Sequence, residues 1–235
     1  VAPLFPDLPW LGLTVLAKIS KRYPHAILDR WADVHITLLR SISSVEERLR
    51  VLGLNILTVL MQASASTSAS QQNEKAQSDL ISFVSQHLPR AFKDPKDKVR
   101  ASVCGVLSNI HFSLWSRLNK DIRELFFREM LLTCSQAKSP KVQMAGCIGL
   151  GRLASVANFF TNPMHVQTAF KRLTTILESS TPEALGARAA WAFANLSDVA
   201  GPVEYPTRPV NECPLSLLRN SENGEKGDVS NMTIV

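Results

Sequence analysis

Glycine and tyrosine are scarce in this chain of 235 residues, which contains ten glycines and two tyrosines. Sheet proteins separate short strands by turn residues at regular spacing, and this sequence shows no such spacing. Hydrophobic residues make up 45% of the chain, and leucine, alanine, serine and valine are abundant among all residues. The composition therefore predicts an all-α protein that can bury a sizeable core.

Long apolar runs are also missing. A membrane-spanning helix needs roughly 18 consecutive apolar residues, and the best candidate, residues 51–61, is interrupted by Asn55 and Thr58. No signal peptide is visible at the N-terminus. We therefore expect no membrane span and an intracellular location, in the cytoplasm, the nucleus or both.

The four cysteines are Cys104, Cys134, Cys147 and Cys213. They form no Cys-x-x-Cys pair and have no histidine at zinc-ligand spacing, so we expect no metal site. Cys104 and Cys147 lie 43 residues apart, in one column of a repeat described below. This position predicts that they are small buried core residues in a reducing compartment.

Sequence motifs of enzymes are absent as well. The chain has no glycine-rich phosphate loop, no nucleophile elbow and no His-Glu-x-x-His sequence. The neighbouring carboxylates Asp29 and Asp33, or Glu46 and Glu47, are typical of solvated helix faces. We therefore expect a non-enzymatic protein without a cofactor.

What the sequence does contain is a helical unit that recurs every 43 residues. The segments VRASVCGVLSNI from Val99, VQMAGCIGLGRL from Val142 and LGARAAWAFANL from Leu185 align without gaps. Each follows a proline that interrupts a helix, in the pairs Asp94-Pro95, Ser139-Pro140 and Thr181-Pro182. Each segment is therefore predicted to be the second helix of a hairpin. Hairpins of this size bury their apolar faces only by stacking on one another, which predicts a solenoid.

The repeat pattern divides the chain into a solenoid, residues 1–199, and a proline-rich and then polar tail, residues 200–235, which we expect to be disordered. About four full hairpins are predicted, at residues 25–61, 74–112, 119–157 and 163–199. Residues 9–22 are predicted to be the second helix of a further hairpin that is truncated at its N-terminal side. Residues 63–73, rich in serine, alanine and glutamine, are predicted to be a flexible insertion.

Two segments resemble known helical repeats. Asp94-Pro95 followed by Val99-Arg100 resembles the HEAT-repeat signature, in which proline ends the first helix and Val-Arg opens the second. Residues 189–196, AAWAFANL, are similar to the third helix of an armadillo repeat, in which Trp and Asn four residues apart face the groove. The resemblance implies a right-handed α-α superhelix with a concave binding face.

The resemblance also nominates residues of that face. Armadillo-type peptide receptors repeat Trp and Asn along the groove, but here Ile148 and Gly105 align with Trp191, and Arg152 and Asn109 align with Asn195. The Trp–Asn ladder is therefore broken, which argues against importin-like cargo binding and leaves it as an alternative. The groove candidates are Asn109, Arg152, Arg188, Trp191 and Asn195. In the alternative interpretation, Trp191 is buried against the neighbouring repeat and Asn195 caps a backbone group locally.

A basic segment offers a second candidate surface. The chain has a formal net charge of +6, and the five acids and three bases after Val199 leave +8 on the solenoid. The densest basic patch consists of Arg90, Lys93, Lys96, Lys98 and Arg100. It predicts either phosphate-directed binding of nucleic acid or an acidic surface, or else a solvated turn with Arg100 as an internal residue of the repeat.

We therefore expect a monomeric, non-catalytic scaffold that binds another protein or peptide along its concave face. Nucleic-acid binding through the basic patch is the alternative from a different class. Thr233-Ile234-Val235 resembles a PDZ-domain ligand, which needs a free terminal carboxylate at Val235.

Overall fold

The computed structural model describes residues 8–64, 71–156, 163–179 and 182–200. Within these ranges the chain forms eleven helices and no strand. The helices, in chain order, are α1 (Leu8–Arg22), α2 (Pro24–Asp29), α3 (Trp31–Ile42), α4 (Glu47–Ser64), α5 (Gln71–Ala91), α6 (Asp97–Leu107), α7 (Phe112–Trp115), α8 (Lys120–Gln136), α9 (Pro140–Ala154), α10 (Pro163–Glu178) and α11 (Glu183–Ala200).

The helices pair into hairpins that stack in two layers. α3 packs on α4, α5 on α6, α8 on α9, and α10 on α11. The second helices α4, α6, α9 and α11 also pack on each other in chain order, with α1 against α4, and these contacts are more extensive than those among the first helices α3, α5, α8 and α10. The second helices therefore form a continuous layer of their own.

The turns within the hairpins follow from proline and from polar side chains. Pro140 occupies the first position of α9, where its missing N–H costs no helical hydrogen bond. Pro182 directly precedes α11, and Pro95 lies in the turn between α5 and α6. The turn before α4 has no proline, and the Glu46 N–H donates to the Ser44 hydroxyl at 3.1 Å instead.

The apolar stripes predicted for the repeated helices are buried. Val99, Val142 and Leu185 occupy equivalent positions and are at most 1% exposed. The further predicted core positions are Val103, Leu107, Ile110, Gly146, Leu150, Leu153, Ala189, Phe193 and Leu196. All are buried except Phe193, which is half-buried and packs edge-on against Phe170 at a ring distance of 4.8 Å.

Some local features differ from the sequence-based expectations. The first helix of the hairpin expected over residues 25–61 begins at Pro24 and breaks at Arg30, which has φ −102° and ψ 25°. The short helix α7 was not expected. Residues 63–64 end α4 and residues 71–73 begin α5, so both ends of the expected flexible insertion are helical.

Several predicted features lie outside the described residues. These are the middle of the expected insertion (65–70), the tail after residue 200, Cys213 and the C-terminal Thr233-Ile234-Val235.

Candidate functional site

A line of polar side chains runs from the second helix α4, across the turn that follows α6, to the second helix α9. Gln62 of α4 donates from Nε2 to Asn109 Oδ1 at 2.7 Å. Arg152 of α9 donates from Nη1 to the same Oδ1 atom at 2.8 Å. Asn109 and Arg152, two of the predicted groove residues, are thus in direct contact one repeat apart. We refer to Gln62, Asn109 and Arg152 as the polar line.

Asn109 is the centre of this line, and its amide group is fully engaged. Its Nδ2 atom donates to the Gly105 carbonyl oxygen at 2.7 Å and lies 3.2 Å from the Ser108 hydroxyl. Its Oδ1 atom accepts the two bonds from the flanking helices. Since an amide has two N–H groups and two acceptor lone pairs, Asn109 has no free hydrogen-bonding capacity.

Trp191 lies on α11, against the preceding second helix. A Cβ atom added to Gly151 would lie only 2.5 Å from Trp191 Cζ3 and 3.0 Å from the Cα atom of Ala192. Glycine at position 151 therefore allows α9 and the indole ring to approach closely. The Trp191 residue still remains 40% exposed, so one part packs on the neighbouring repeat and another part faces solvent.

Asn195 and Arg188 complete the predicted groove set. Asn195 Nδ2 donates to the Trp191 carbonyl oxygen, one helical turn away, at 2.9 Å. This is the local contact that the alternative interpretation expected. Arg188 is exposed and makes no ion pair with the described residues. The structure therefore groups Arg188, Trp191 and Asn195 on α11, and it brings Asn109, in the turn after α6, together with Arg152 on α9.

The five members of the basic patch at residues 90–100 do not all point to solvent. Arg100 is the exception, because its Nη1 donates to the Asp94 carbonyl oxygen at 2.6 Å and its Nη2 pairs with the Asp97 carboxylate. Arg100 is therefore an internal residue of the repeat, as one of the two interpretations of the basic segment predicts. The other four members, Arg90, Lys93, Lys96 and Lys98, are exposed.

An ion pair between Arg50 and Asp94, which the sequence pattern did not predict, lies next to this patch. Arg50 of α4 donates from Nη2 to Asp94 Oδ1 at 3.0 Å, and its Nε lies 2.7 Å from Asp94 Oδ2 without the alignment of a hydrogen bond. Arg50 also donates to the carbonyl oxygens of Ser44 and Val45, both at 2.9 Å. Arg50 thereby ties the first hairpin to the second. Aligning Leu49 with Val99 would have placed Arg50 in the column of Arg100.

Three cysteines are buried where α6, α8 and α9 meet. Burial raises the pKa of Cys104 to about 12. A side-chain hydrogen bond with Cys147, together with burial, raises the pKa of Cys134 well above its ordinary value. The Cys104 and Cys134 thiols are therefore neutral at physiological pH. The burial of Cys104 and Cys147 agrees with the prediction that they fill the core.

Two further properties of the described residues bear on function. They contain no group of three or more histidine, cysteine, aspartate or glutamate side chains arranged to hold a metal ion. Within the same part of the chain, no helix combines the length and the apolar character that crossing a membrane requires.

Comparison with solved structures identifies the fold. A designed armadillo repeat protein, YIII(Dq.V1)4CPAF in complex with the peptide (KR)4, matches with a TM-score of 0.58 and 15% identity over 83% of this chain and 77% of that chain. A second engineered protein matches with a TM-score of 0.55 and 17% identity over 78% and 71% of the two chains. No protein-family model and no curated protein matches. The likeness confirms the predicted all-α superhelix of the HEAT and armadillo type.

Proposed function

We propose that the protein is a non-catalytic, intracellular scaffold that binds another protein or an extended peptide. The partner lies along the layer of second helices, and its anchor is Trp191 with Asn195 and Arg188. The observation that carries this proposal is the exposure of Trp191. Trp191 is 40% exposed although its indole ring packs closely against Gly151. Exposed indole rings beside an arginine are frequent anchors of protein interfaces.

The neighbouring groups support a peptide-like partner. Among the described residues, the Asn195 side chain uses one N–H within its own helix, which leaves the other N–H and Oδ1 available to a partner backbone. Arg188 lies one turn before Trp191 on the same helical face and is unpaired in this part of the chain. These groups bind a backbone amide and a carboxylate, respectively.

A strongly basic cargo fits this face poorly. The designed armadillo protein cited above is in complex with a peptide of alternating lysine and arginine, whereas Arg152 and Arg188 are exposed on the proposed face of this chain. Like charges at a binding surface oppose association. We therefore propose that the protein does not bind (KR)4, which also speaks against importin-like carriage of basic cargo.

The test compares partner capture by the intact chain and by variants of the two layers. Affinity purification with quantitative mass spectrometry is performed with the native protein, with Arg188→Ala/Trp191→Ala/Asn195→Ala, and with Arg152→Glu/Arg188→Glu. Arg152→Glu/Arg188→Glu changes only exposed charges and leaves the packing of Trp191 on Gly151 intact. Arg128→Ala/Lys171→Ala, on the exposed side of the first helices α8 and α10, is the matched control.

We expect one set of proteins to be lost from both second-helix variants and retained by the control. Circular dichroism melts establish that each variant is folded. Recovery of the same partners with every folded variant would contradict the proposal, because it would place the binding surface elsewhere.

We also propose a closer relationship than the fold alone. Over roughly residues 80–200, the order of the helix breaks and the AAW…NLSD run at 189–198 are similar to the C-terminal half of HEAT-repeat-containing protein 6. A residue-by-residue alignment with that protein tests this relationship. A match in which the three 12-residue segments fall out of register would contradict it.

A further inference from the structure

Basic side chains recur at one equivalent position in three consecutive repeats. Arg48, Lys98 and Lys141 are each the second residue of a second helix, in α4, α6 and α9 respectively. All three are exposed. Because the three helices pack side by side, these cations follow one edge of the layer of second helices.

The turns that precede these helices add more positive charge to the same edge. Further exposed cations lie in or beside the turns, and with the first three they form what we call the basic edge: Arg48, Arg90, Lys93, Lys96, Lys98, Lys138 and Lys141.

Most acidic side chains of the turns form ion pairs with basic side chains of the same chain. Asp94 is held by Arg50 and Asp97 by Arg100, and both arginines are largely buried. Glu47 lies 4.0 Å from Lys98, whose side chain is 81% exposed. In the described turns this leaves Glu46 as the exposed acidic side chain without a cation partner. Internal pairing therefore leaves the basic edge with uncompensated positive charge.

The position of Arg48, Lys98 and Lys141 is unfavourable for helix stability. The N-terminal turn of a helix carries the positive end of the helix dipole, so cations there are disfavoured and carboxylates are favoured. The chain places a cation there in three successive helices. A local preference that is violated repeatedly at one surface is typical of a functional site.

We propose that the basic edge docks an extended acidic segment of a partner protein. Packed helices lie about 8–10 Å apart, and an extended segment in the polyproline II conformation advances about 3.1 Å per residue with every third side chain on the same face. One repeat therefore corresponds to about three residues of the segment, so a carboxylate at every third residue meets one cation per repeat. This surface is distinct from the face that contains Trp191.

A nucleic acid matches the basic edge less well. Each strand of a duplex presents a phosphate about every 3.4 Å along the axis, so only about one phosphate in three can meet the equivalent cation of a repeat. Proteins that bind single strands also provide aromatic platforms for the bases. Phe92, the aromatic residue of the basic segment, is only 4% exposed and is unavailable for stacking.

The test measures fluorescence anisotropy of a labelled synthetic peptide with glutamate at every third position. The comparison probes are a peptide of the same composition with its glutamates adjacent and a single-stranded oligothymidine. The full chain is compared with Arg48→Gln/Lys98→Gln/Lys141→Gln. Its control is Arg117→Gln/Arg128→Gln/Lys171→Gln, which removes the same charge from exposed positions outside the basic edge.

We expect the edge variant to bind the spaced peptide at least about tenfold more weakly than the native protein, because it loses three exposed ion pairs with the peptide. The control should bind within about twofold of the native protein. The edge variant should melt at or above the temperature of the native protein, because three unfavourable first-turn cations are gone. No binding by the native protein, or an equal loss in the control, would overturn the proposal. Equal or tighter binding of either comparison probe would also overturn it.

The same assay separates this proposal from the proposed function. Arg152→Glu/Arg188→Glu alters the face around Trp191 and should bind the spaced peptide within about threefold of the native protein, since charges farther than a Debye length are largely screened. A loss confined to this variant would refute docking at the basic edge while leaving the function proposed for the second-helix face intact.

Discussion

The guanidinium group of Arg50 and the carboxylate of Asp94 join two consecutive hairpins through an ion pair whose side chains are only 11% and 10% exposed. Asp94 also accepts the Lys96 N–H at 2.9 Å, so one carboxylate both shapes its own turn and anchors the preceding repeat. The hairpins are thereby joined by a specific polar contact in addition to the apolar stripe.

Removing the carboxylate should destabilise the protein strongly. Asp94→Ala leaves the Arg50 charge buried without its partner, and we expect the free energy of unfolding to fall by about 3 kcal/mol. Arg50→Met/Asp94→Ala removes the stranded charge and should be less destabilised than the sum of the two single variants. Urea denaturation measures all three. A loss below about 0.5 kcal/mol for Asp94→Ala would show that solvent reaches Arg50 and screens it.

Two glycines of the second helices should respond in opposite ways to alanine. A Cβ atom at position 146 would lie 2.7 Å from the backbone nitrogen of Cys134, whereas at position 105 its nearest neighbour is Thr58 Oγ1 at 3.9 Å. Gly146→Ala should cost about 1–3 kcal/mol because α8 and α9 must separate. Gly105→Ala should stabilise by up to about 1 kcal/mol through helix propensity. Equal effects in thermal melts would refute the close contact of α8 with α9.

The bond between Asn109 and Arg152 should appear as a coupling energy. Both side chains are at least partly exposed, so we expect a double-mutant cycle with Asn109→Ala and Arg152→Ala to give about 0.5–1 kcal/mol. Asn109→Ala with Lys171→Ala serves as the reference, because Lys171 is an exposed residue of the first helix α10 and shares no hydrogen-bond partner with Asn109 among the described residues. If Asn109 and Arg152 couple no more strongly than the reference pair, the polar line is not formed in solution.

The buried thiols predict a loss of stability at alkaline pH. Burial raises the pKa of Cys104 from 9.0 to about 12, so the folded state retains a proton that the unfolded chain releases above pH 9. The stabilisation is complete below pH 9, and it declines by about 1.4 kcal/mol per pH unit between pH 9 and 12. Chemical denaturation at several pH values should show a shallower decline for Cys104→Ala than for the native protein. Identical pH profiles would contradict the burial of this thiol.

The second helices of the last three hairpins could be predicted because their sequences align without gaps. The apolar positions recur every three or four residues, and the helix breaks are marked by proline. Burial of Val99, Val142 and Leu185 follows directly from that pattern. The break at Arg30 carries no such signal, because neither proline nor glycine marks it.

The alignment predicted which residues occupy equivalent positions but not which contacts they make. Column alignment placed Asn109 and Arg152 at equivalent positions, and their bond follows from the stacking of equivalent helices. The partner of Arg50 could not be found this way, because Asp94 lies in a turn outside the aligned 12-residue segments. The packing of Trp191 on Gly151 depends on how closely two helices approach, which spacing alone does not determine.

Every hydrogen-bonding group of the Asn109 amide is already engaged within the protein. A partner can therefore bind this amide only by replacing an existing hydrogen bond. A partner that reaches Oδ1 of Asn109 must displace Gln62 or Arg152 and return equivalent hydrogen bonds to the released group. A partner that merely fills the space leaves a donor without an acceptor, which costs about 1–3 kcal/mol where water cannot enter. For the partner proposed above, we expect Asn109 to contribute little to the tightness of binding and much to selectivity, because a partner that matches the shape of this face but not its polarity loses these hydrogen bonds.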